Sequence, residues 1–393
     1  MRKLHLLGCI ALLSACSDNG ESETSLAAQE LQPKTCNVND GRCIFRHDTF
    51  GDEQLWTDVL RLHELVATLP PTVALAVGLK VDAAAVPAEV LATADLEDPA
   101  TTVALLSLNA VVGVRAKVRD GKVKTIGITC ALCHSDVDNS VMDGIGMRLD
   151  GHPNRDLDPG LIISLTPGVA DFITSLGFEV EPAIAALQSW GPGRYDARFN
   201  QDGISAPVLI PPAFGLADVA LETYTGEGPI SYWNAYVAVT QMGAHGNFVD
   251  PDIGVSIVQT PDLVTPKLPA LRDYQFSLQP PPPPADSFDP VAADRGAGVF
   301  ANHCASCHAG ASFSDAPTLH SAAEVGQNPT EAERSKTGLY RTTPLRGAWM
   351  HAPYFHDGNA PTFEAVVDHY DALFGLGLLD TDKADLVQYL LSL

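Results

Sequence analysis

Two short runs in this 393-residue chain could do chemistry together: Cys130-Ala131-Leu132-Cys133-His134 and Cys304-Ala305-Ser306-Cys307-His308. Each reads Cys-x-x-Cys-His, the attachment signature of c-type haem. The spacing has a geometric reason. Cysteines three apart lie on one side of a helical turn, so both thiols can add to the vinyl groups of one porphyrin. The histidine that follows then turns toward the iron as its proximal ligand. A lone Cys-x-x-Cys would equally suit a redox dithiol or half a zinc site. A histidine directly after both pairs selects haem, so the chain is expected to carry two covalently bound haems c.

The amino terminus agrees with that chemistry, which is done outside the cytoplasm. Arg2 and Lys3 precede an apolar stretch that ends at Ala15, too short to span a bilayer and shaped like an export signal. The run Leu13-Ser14-Ala15-Cys16 resembles a bacterial lipobox, which implies a signal peptide over residues 1–15 and acylation of Cys16. Cleavage after Ala15 by an ordinary signal peptidase is the other reading. Several acyl chains would anchor the protein where one would not. Ser17 after the lipid-bearing cysteine points to the outer membrane, facing the periplasm. Of eight cysteines, Cys36 and Cys43 are left over, and an oxidising compartment pairs them as a small disulfide loop within a tether over residues 16–45. The net charge is -24, more acidic still without Arg2 and Lys3. That excludes nucleic acid and favours a basic electron partner, a small cytochrome or cupredoxin, steered by charge.

The elements that must position the motifs are mainly α-helical. Five prolines at 280–284 form an extended linker over residues 280–285. It separates an N-terminal haem domain over residues 46–279 from a C-terminal cytochrome c domain over residues 286–393. In the latter, Asp294 to Phe300 reads as a helix into the second motif. Leu386, Tyr389, Leu390 and Leu393 share one face of a terminal helix. Upstream, residues 53–69 read as one amphipathic helix stopped by Pro70 and Pro71. Residues 111–128 read as a β-hairpin around Asp120-Gly121 that delivers the chain into Cys130. Residues 161–178 and 231–241 are expected to be helical. Residues 190–216, rich in Gly and Pro, are expected to be a long irregular loop.

The most specific text follows the second motif: Tyr340-Arg341-Thr342-Thr343-Pro344-Leu345-Arg346-Gly347, then Ala352-Pro353-Tyr354-Phe355-His356-Asp357-Gly358, then Phe363-Glu364-Ala365-Val366-Val367. Over residues 286–393 the chain resembles the C-terminal haem domain of bacterial dihaem cytochrome c peroxidases and MauG-type enzymes. The resemblance implies an oxidoreductase that reduces hydrogen peroxide with electrons from a small redox protein, with His356 at the catalytic centre. It places Tyr370 opposite the proximal His308. Tyrosine at that position is MauG-like, methionine peroxidase-like, and Met350 is the competing ligand. It also implies a calcium ion near the Pro353 carbonyl, with His351 where threonine is usual. The N-terminal half departs from the family. There His152, in Asp150-Gly151-His152-Pro153-Asn154-Arg155, is the distal candidate for the first haem, with Met147, Met242 and His245 as rivals. Trp190, Trp233 and Trp349 are candidate electron bridges, although core packing suits each. Two other functions stay open: electron relay without catalysis, and oxygen-dependent hydrocarbon cleavage of the rubber-oxygenase type.

Overall fold

The computed structural model describes residues 36–393, so the signal sequence and Cys16 lie outside the described residues. The fold is rich in short helices, and its strands make only two-stranded ladders. No helix among the described residues is long and apolar enough to cross a membrane.

At the start of the described residues a disulfide joins Cys36 and Cys43 and closes onto the Gly41–His47 helix. Asp40 caps that helix by accepting from the Cys43 amide at 2.9 Å, as an N-terminal aspartate should. Its Ile44 and Phe45 are fully buried and join the main core with Leu106, Val112, Ile126, Tyr236, Val264 and Leu271.

Residues 53–69 do not form the single helix expected. Gln54–Val59 winds as a π-helix, Arg61 turns left-handed at φ 59°, and Leu62–Val66 resumes as an α-helix. Tertiary hydrogen bonds override the helical period here. Trp56 donates to the Met242 carbonyl at 2.9 Å, and Thr57 exchanges two bonds with the Ile126 backbone at 2.8 and 2.9 Å. The region 161–178 is likewise split, into Pro159–Ser164 and Val169–Ser175. Residues 190–216 are mostly irregular, but they include a short ladder of Arg194–Tyr195 on Val208–Leu209.

The hairpin forms where the sequence places it. Val114–Arg119 pairs antiparallel with Lys122–Ile128. Asp120 and Gly121 both take positive φ, 50° and 67°, which is the twist a two-residue hairpin turn needs. At the other end, Gly113 lies against the backbone of Leu132, and a Cβ there would collide with it. This close approach seats the first motif on the hairpin.

In the C-terminal part, Pro290–His303 is capped by Asp289 and crosses the Asp380–Leu391 helix. Gly296 makes the crossing tight, since a Cβ would strike the Asp385 carbonyl. Arg295 clamps the same Asp385 through two bonds of 2.6 and 2.5 Å. Phe300, Phe363, Val367, Leu386, Val387 and Leu390 form a core cluster separate from the main one. The proline run is extended but held. Pro281 accepts from the Trp349 indole at 3.2 Å.

The two halves also interlock through backbone and side chains. Leu319–His320 pairs with Tyr340–Arg341, and the Arg341 amide donates to Tyr224 O at 2.8 Å. Beneath lies a buried ion network. Arg198 binds Glu227 at 2.5 Å and Glu331 at 3.1 Å, while Arg334 meets Asp196, Asp202 and Glu331.

Candidate haem sites

The first motif is a single helical turn, Ala131–His134, between two β-ladders. The Thr129 amide donates to Gly113 O at 2.9 Å, tying its start to the hairpin. Its end continues as Ser135–Val137, which pairs with Arg148–Asp150. Gly151 N then donates to His134 O at 2.8 Å, and Asn154 N to Cys133 O at 2.9 Å. The Asn154 amide side chain, fully buried, donates to Gly78 O at 2.8 Å and Leu132 O at 3.3 Å. Asn154 therefore clamps the motif, a role that sequence reading missed because it depends on partners far along the chain.

The second motif follows the C-terminus of the Pro290–His303 helix. Cys304 N donates to Phe300 O at 2.8 Å and His308 N to Cys304 O at 3.0 Å. Phe300 forms its floor, with ring centroids 6.3 Å from His308, 5.8 Å from Phe313 and 5.1 Å from Tyr389.

The two histidines share one feature. His134 Nδ1 lies 3.0 Å from the Pro211 carbonyl, and His308 Nδ1 lies 3.0 Å from the Phe313 carbonyl. A carbonyl oxygen can only accept, so Nδ1 carries the proton in both rings and Nε2 keeps its lone pair. That is the tautomer a metal-ligating histidine needs, with its orientation fixed by the second nitrogen. Burial lowers the pKa of both imidazoles, which keeps them neutral. The four motif cysteines are free thiols. Burial pushes Cys130 and Cys133 up to about 12 and Cys304 up to about 11. The residues present thus fit haem: His134 and His308 would hold iron, and the cysteine pairs would hold the macrocycle.

The other predicted residues fall as follows. Tyr370, on Phe363–Phe374, packs against Phe355, His369 and Phe374. Burial and the Cys307 and Cys304 thiols push its phenol up to about 12, so it shares their electrostatic environment. Met350 ends a short 3-10 turn, Ala348–Met350. His356 lies between Tyr340, ring centroid 4.8 Å away, and Tyr224, 6.4 Å away, and its Nε2 is 3.2 Å from the Tyr340 hydroxyl. His152 meets the edge of Phe214 at 5.4 Å. Among its rivals, Met147 is 49% exposed, Met242 is buried in the main core, and His245 Nε2 is buried without a partner. Tyr195 is a further group that sequence reading missed. It is half-buried, burial and the Cys133 thiol raise its phenol, and it donates to Gln241 at 3.1 Å. Trp190 packs on Tyr195 and Phe199, and Trp233 lies against Arg198 and Tyr236.

Among the described residues, one group of three His, Cys, Asp or Glu side chains is close enough to share an ion: Cys307, Asp315 and His320. It does not suit a metal. His320 spends Nε2 on Asp315 at 3.0 Å and Nδ1 on Glu324 at 2.9 Å. Burial opposes its charge, but the two carboxylates prevail and raise its pKa. A doubly donating imidazolium has no lone pair to give. The Pro353 region gains no such side-chain group, so calcium there would rest on backbone carbonyls.

Residues 338–371 match a family model described as RoxA-like, cytochrome c-like, which supports a cytochrome c-like character for this segment. No curated protein matches the chain. Among solved structures, it is similar to the hydrazine synthase of Kuenenia stuttgartiensis studied under xenon. That likeness is 21% identical, covers 49% of this chain and 74% of the other, and has a TM-score of 0.34. It is also similar to a MauG-like protein associated with microbial copper homeostasis, at 19% identity, 36% and 62% coverage, and a TM-score of 0.26. At those values neither likeness carries an argument about this chain.

Proposed function

We propose that the chain is a dihaem c-type oxidoreductase of the peroxidase or MauG type. One observation carries the reading: two Cys-x-x-Cys-His motifs, each with histidine Nδ1 committed to a backbone carbonyl at 3.0 Å. Haem iron supplies one-electron chemistry, tuned by its axial ligands and their surroundings. The chain's residues do the rest. His134 and His308 present Nε2, and Tyr370 offers a hard oxygen donor beside the second motif. His152, whose pKa burial lowers, is a neutral base able to take a proton from peroxide beside the first. His356 exchanges a hydrogen bond with Tyr340 next to the interlocked segments. Residues 46–279 and 286–393 serve as the two haem domains. The acidic surface receives a basic cytochrome or cupredoxin, and acylated Cys16 would hold the protein at the periplasmic face of the outer membrane.

The test is turnover. With a reduced basic cytochrome as donor, peroxide-dependent oxidation is expected, weakening as salt rises because the -24 charge steers encounter at low ionic strength. Absence of turnover and of any spectral response to peroxide, in oxidised and half-reduced protein alike, would end the peroxidase reading. The RoxA-like match at residues 338–371 favours one other outcome, oxygen uptake driven by an unsaturated hydrocarbon. Tyr370 has its own check. Burial and nearby thiols oppose its ionisation, so a phenolate there requires the positive charge of ferric iron. Tyr370→Phe is expected to change the spectrum and lower the ferric preference of the second haem only. An unchanged spectrum returns Tyr370 to packing and brings Met350 forward.

A further inference from the structure

Acids outnumber bases two to one in this chain, 48 to 24, yet two neighbouring arginines between the motif-bearing segments lack a carboxylate. Arg155 Nε and Nη1 are buried with no hydrogen-bond partner. Its Nη2 reaches only the His351 carbonyl, at 3.5 Å. Burial and the like charge of Arg194 push the Arg155 guanidinium down to about 10. Arg194 has no ion pair among the described residues. Other arginines here find oxygen partners: Arg198 meets Glu227 and Glu331, Arg334 meets Asp196 and Asp202, Arg46 meets Asp150, and buried Arg341 donates to the Thr223, Thr342 and Glu222 carbonyls. A buried guanidinium without a counter-charge is costly, because a charge leaving water must be paired. The like charge of Arg194 adds to the cost.

The pair is placed against both haem segments. Arg155 follows Asn154, which is bonded to Cys133 and Leu132 of the first motif. Arg194 stands on the strand paired with Val208–Leu209, and Gly193 just before it lies against the Arg155 backbone. Leu209 N donates to His356 O at 2.7 Å, and two residues on, Pro211 receives His134. The Arg194 guanidinium also lies against Gly358. The flanking imidazoles bring no negative charge: His152 is lowered by burial, and His351 is held at about 3 by burial, Arg155 and His152.

We propose that Arg155 and Arg194 form a carboxylate receptor that takes a propionate of the first haem. A carboxylate matches the guanidinium fork in two parallel hydrogen bonds, and it supplies the counter-charge that Arg155 lacks. The inference rests on the haem reading of Cys130 and Cys133, and it adds which residues receive the acid groups of that haem. A neutralised propionate no longer disfavours the reduced iron, so the pair raises the potential of the first haem.

The experiment uses the mature protein, with haem content checked first. If wild-type protein carries no haem at Cys130 and Cys133, the haem reading itself fails. With two haems present, Arg155→Gln is expected to lower one midpoint potential by a tenfold change in reduction equilibrium, about 59 mV for one electron, leaving the other in place. Arg155→Lys should recover most of the shift. Where Arg155→Gln accumulates poorly, Arg194→Gln reads the same midpoint. Unchanged midpoints in both variants overturn the proposal. So does a wild-type potential that tracks added acetate or chloride, which would mark a site for a free anion. A crystal structure of the holoprotein with its first-haem propionates elsewhere, at Arg148 for example, would overturn it as well.

Discussion

Replacing Cys304 and Cys307 together by alanine is expected to remove one of two covalent haems and leave the other. The pyridine haemochrome ratio per chain should fall from about two to about one. The expectation rests on local geometry. The second motif is built from its own neighbourhood: Phe300 O receives Cys304 N, and Phe313 O receives His308 Nδ1. The first motif leans on the hairpin and on Asn154, both in the other core. Nothing in the contacts of Cys130, Cys133 or His134 requires the second thioether pair. The reciprocal change, Cys130→Ala with Cys133→Ala, should leave the second haem. A ratio of zero in either variant would mean that the two sites mature as one unit, and a wild-type ratio of one would refute the dihaem reading.

The second large effect lies away from the iron sites. Arg198→Met is expected to destabilise the protein by about 3–5 kcal/mol, the usual consequence of leaving buried charges unpaired. Arg198 is 3% exposed. Its removal leaves Glu227 without a cation, bonded only to the Thr225 hydroxyl and the Lys336 amide, and weakens the setting of Glu331, which keeps Arg334 and Tyr224. Burial already raises the pKa of Glu331, and losing Arg198 raises it further. A carboxyl whose folded pKa exceeds its unfolded value adds stability as pH falls. The deficit of Arg198→Met should therefore shrink in mild acid, between the two values. Denaturant unfolding at neutral and mildly acidic pH measures both. A loss under about 1 kcal/mol would show that the network only balances its own desolvation.

What the sequence disclosed follows from the range of the interactions involved. The hairpin was legible because Asp120-Gly121 is a local turn code. The Pro290–His303 and Asp380–Leu391 helices were legible because their apolar period is local too. The helix predicted over residues 53–69 broke because Trp56 and Thr57 answer to Met242 and Ile126, and no neighbouring residue announces such partners. The two Cys-x-x-Cys-His runs were legible as motifs because their spacing is local. Asn154, Tyr195 and Arg155 were not, since their roles exist only once residues 78, 133, 194 and 241 are brought beside them. The interlock of residues 319–341 with 196–227 was also hidden. The proline run reads as a separator, and only the folded chain shows buried ion pairs crossing it.

One contrast between the two motifs bears on the order in which they close as the chain folds. The carbonyl that fixes His308 comes 5 residues after it, while the carbonyl that fixes His134 comes 77 residues after it. Closing the longer loop costs more chain entropy, and that cost is met only when the surrounding tertiary contacts form together. The second imidazole is thus poised as soon as its own turn is made. The first stays unrestrained, with its thiols open, until residues 190–216 fold back over it. The motif that appears first in the chain is therefore the last to be closed, which leaves it the longer interval in which an attachment enzyme can reach it.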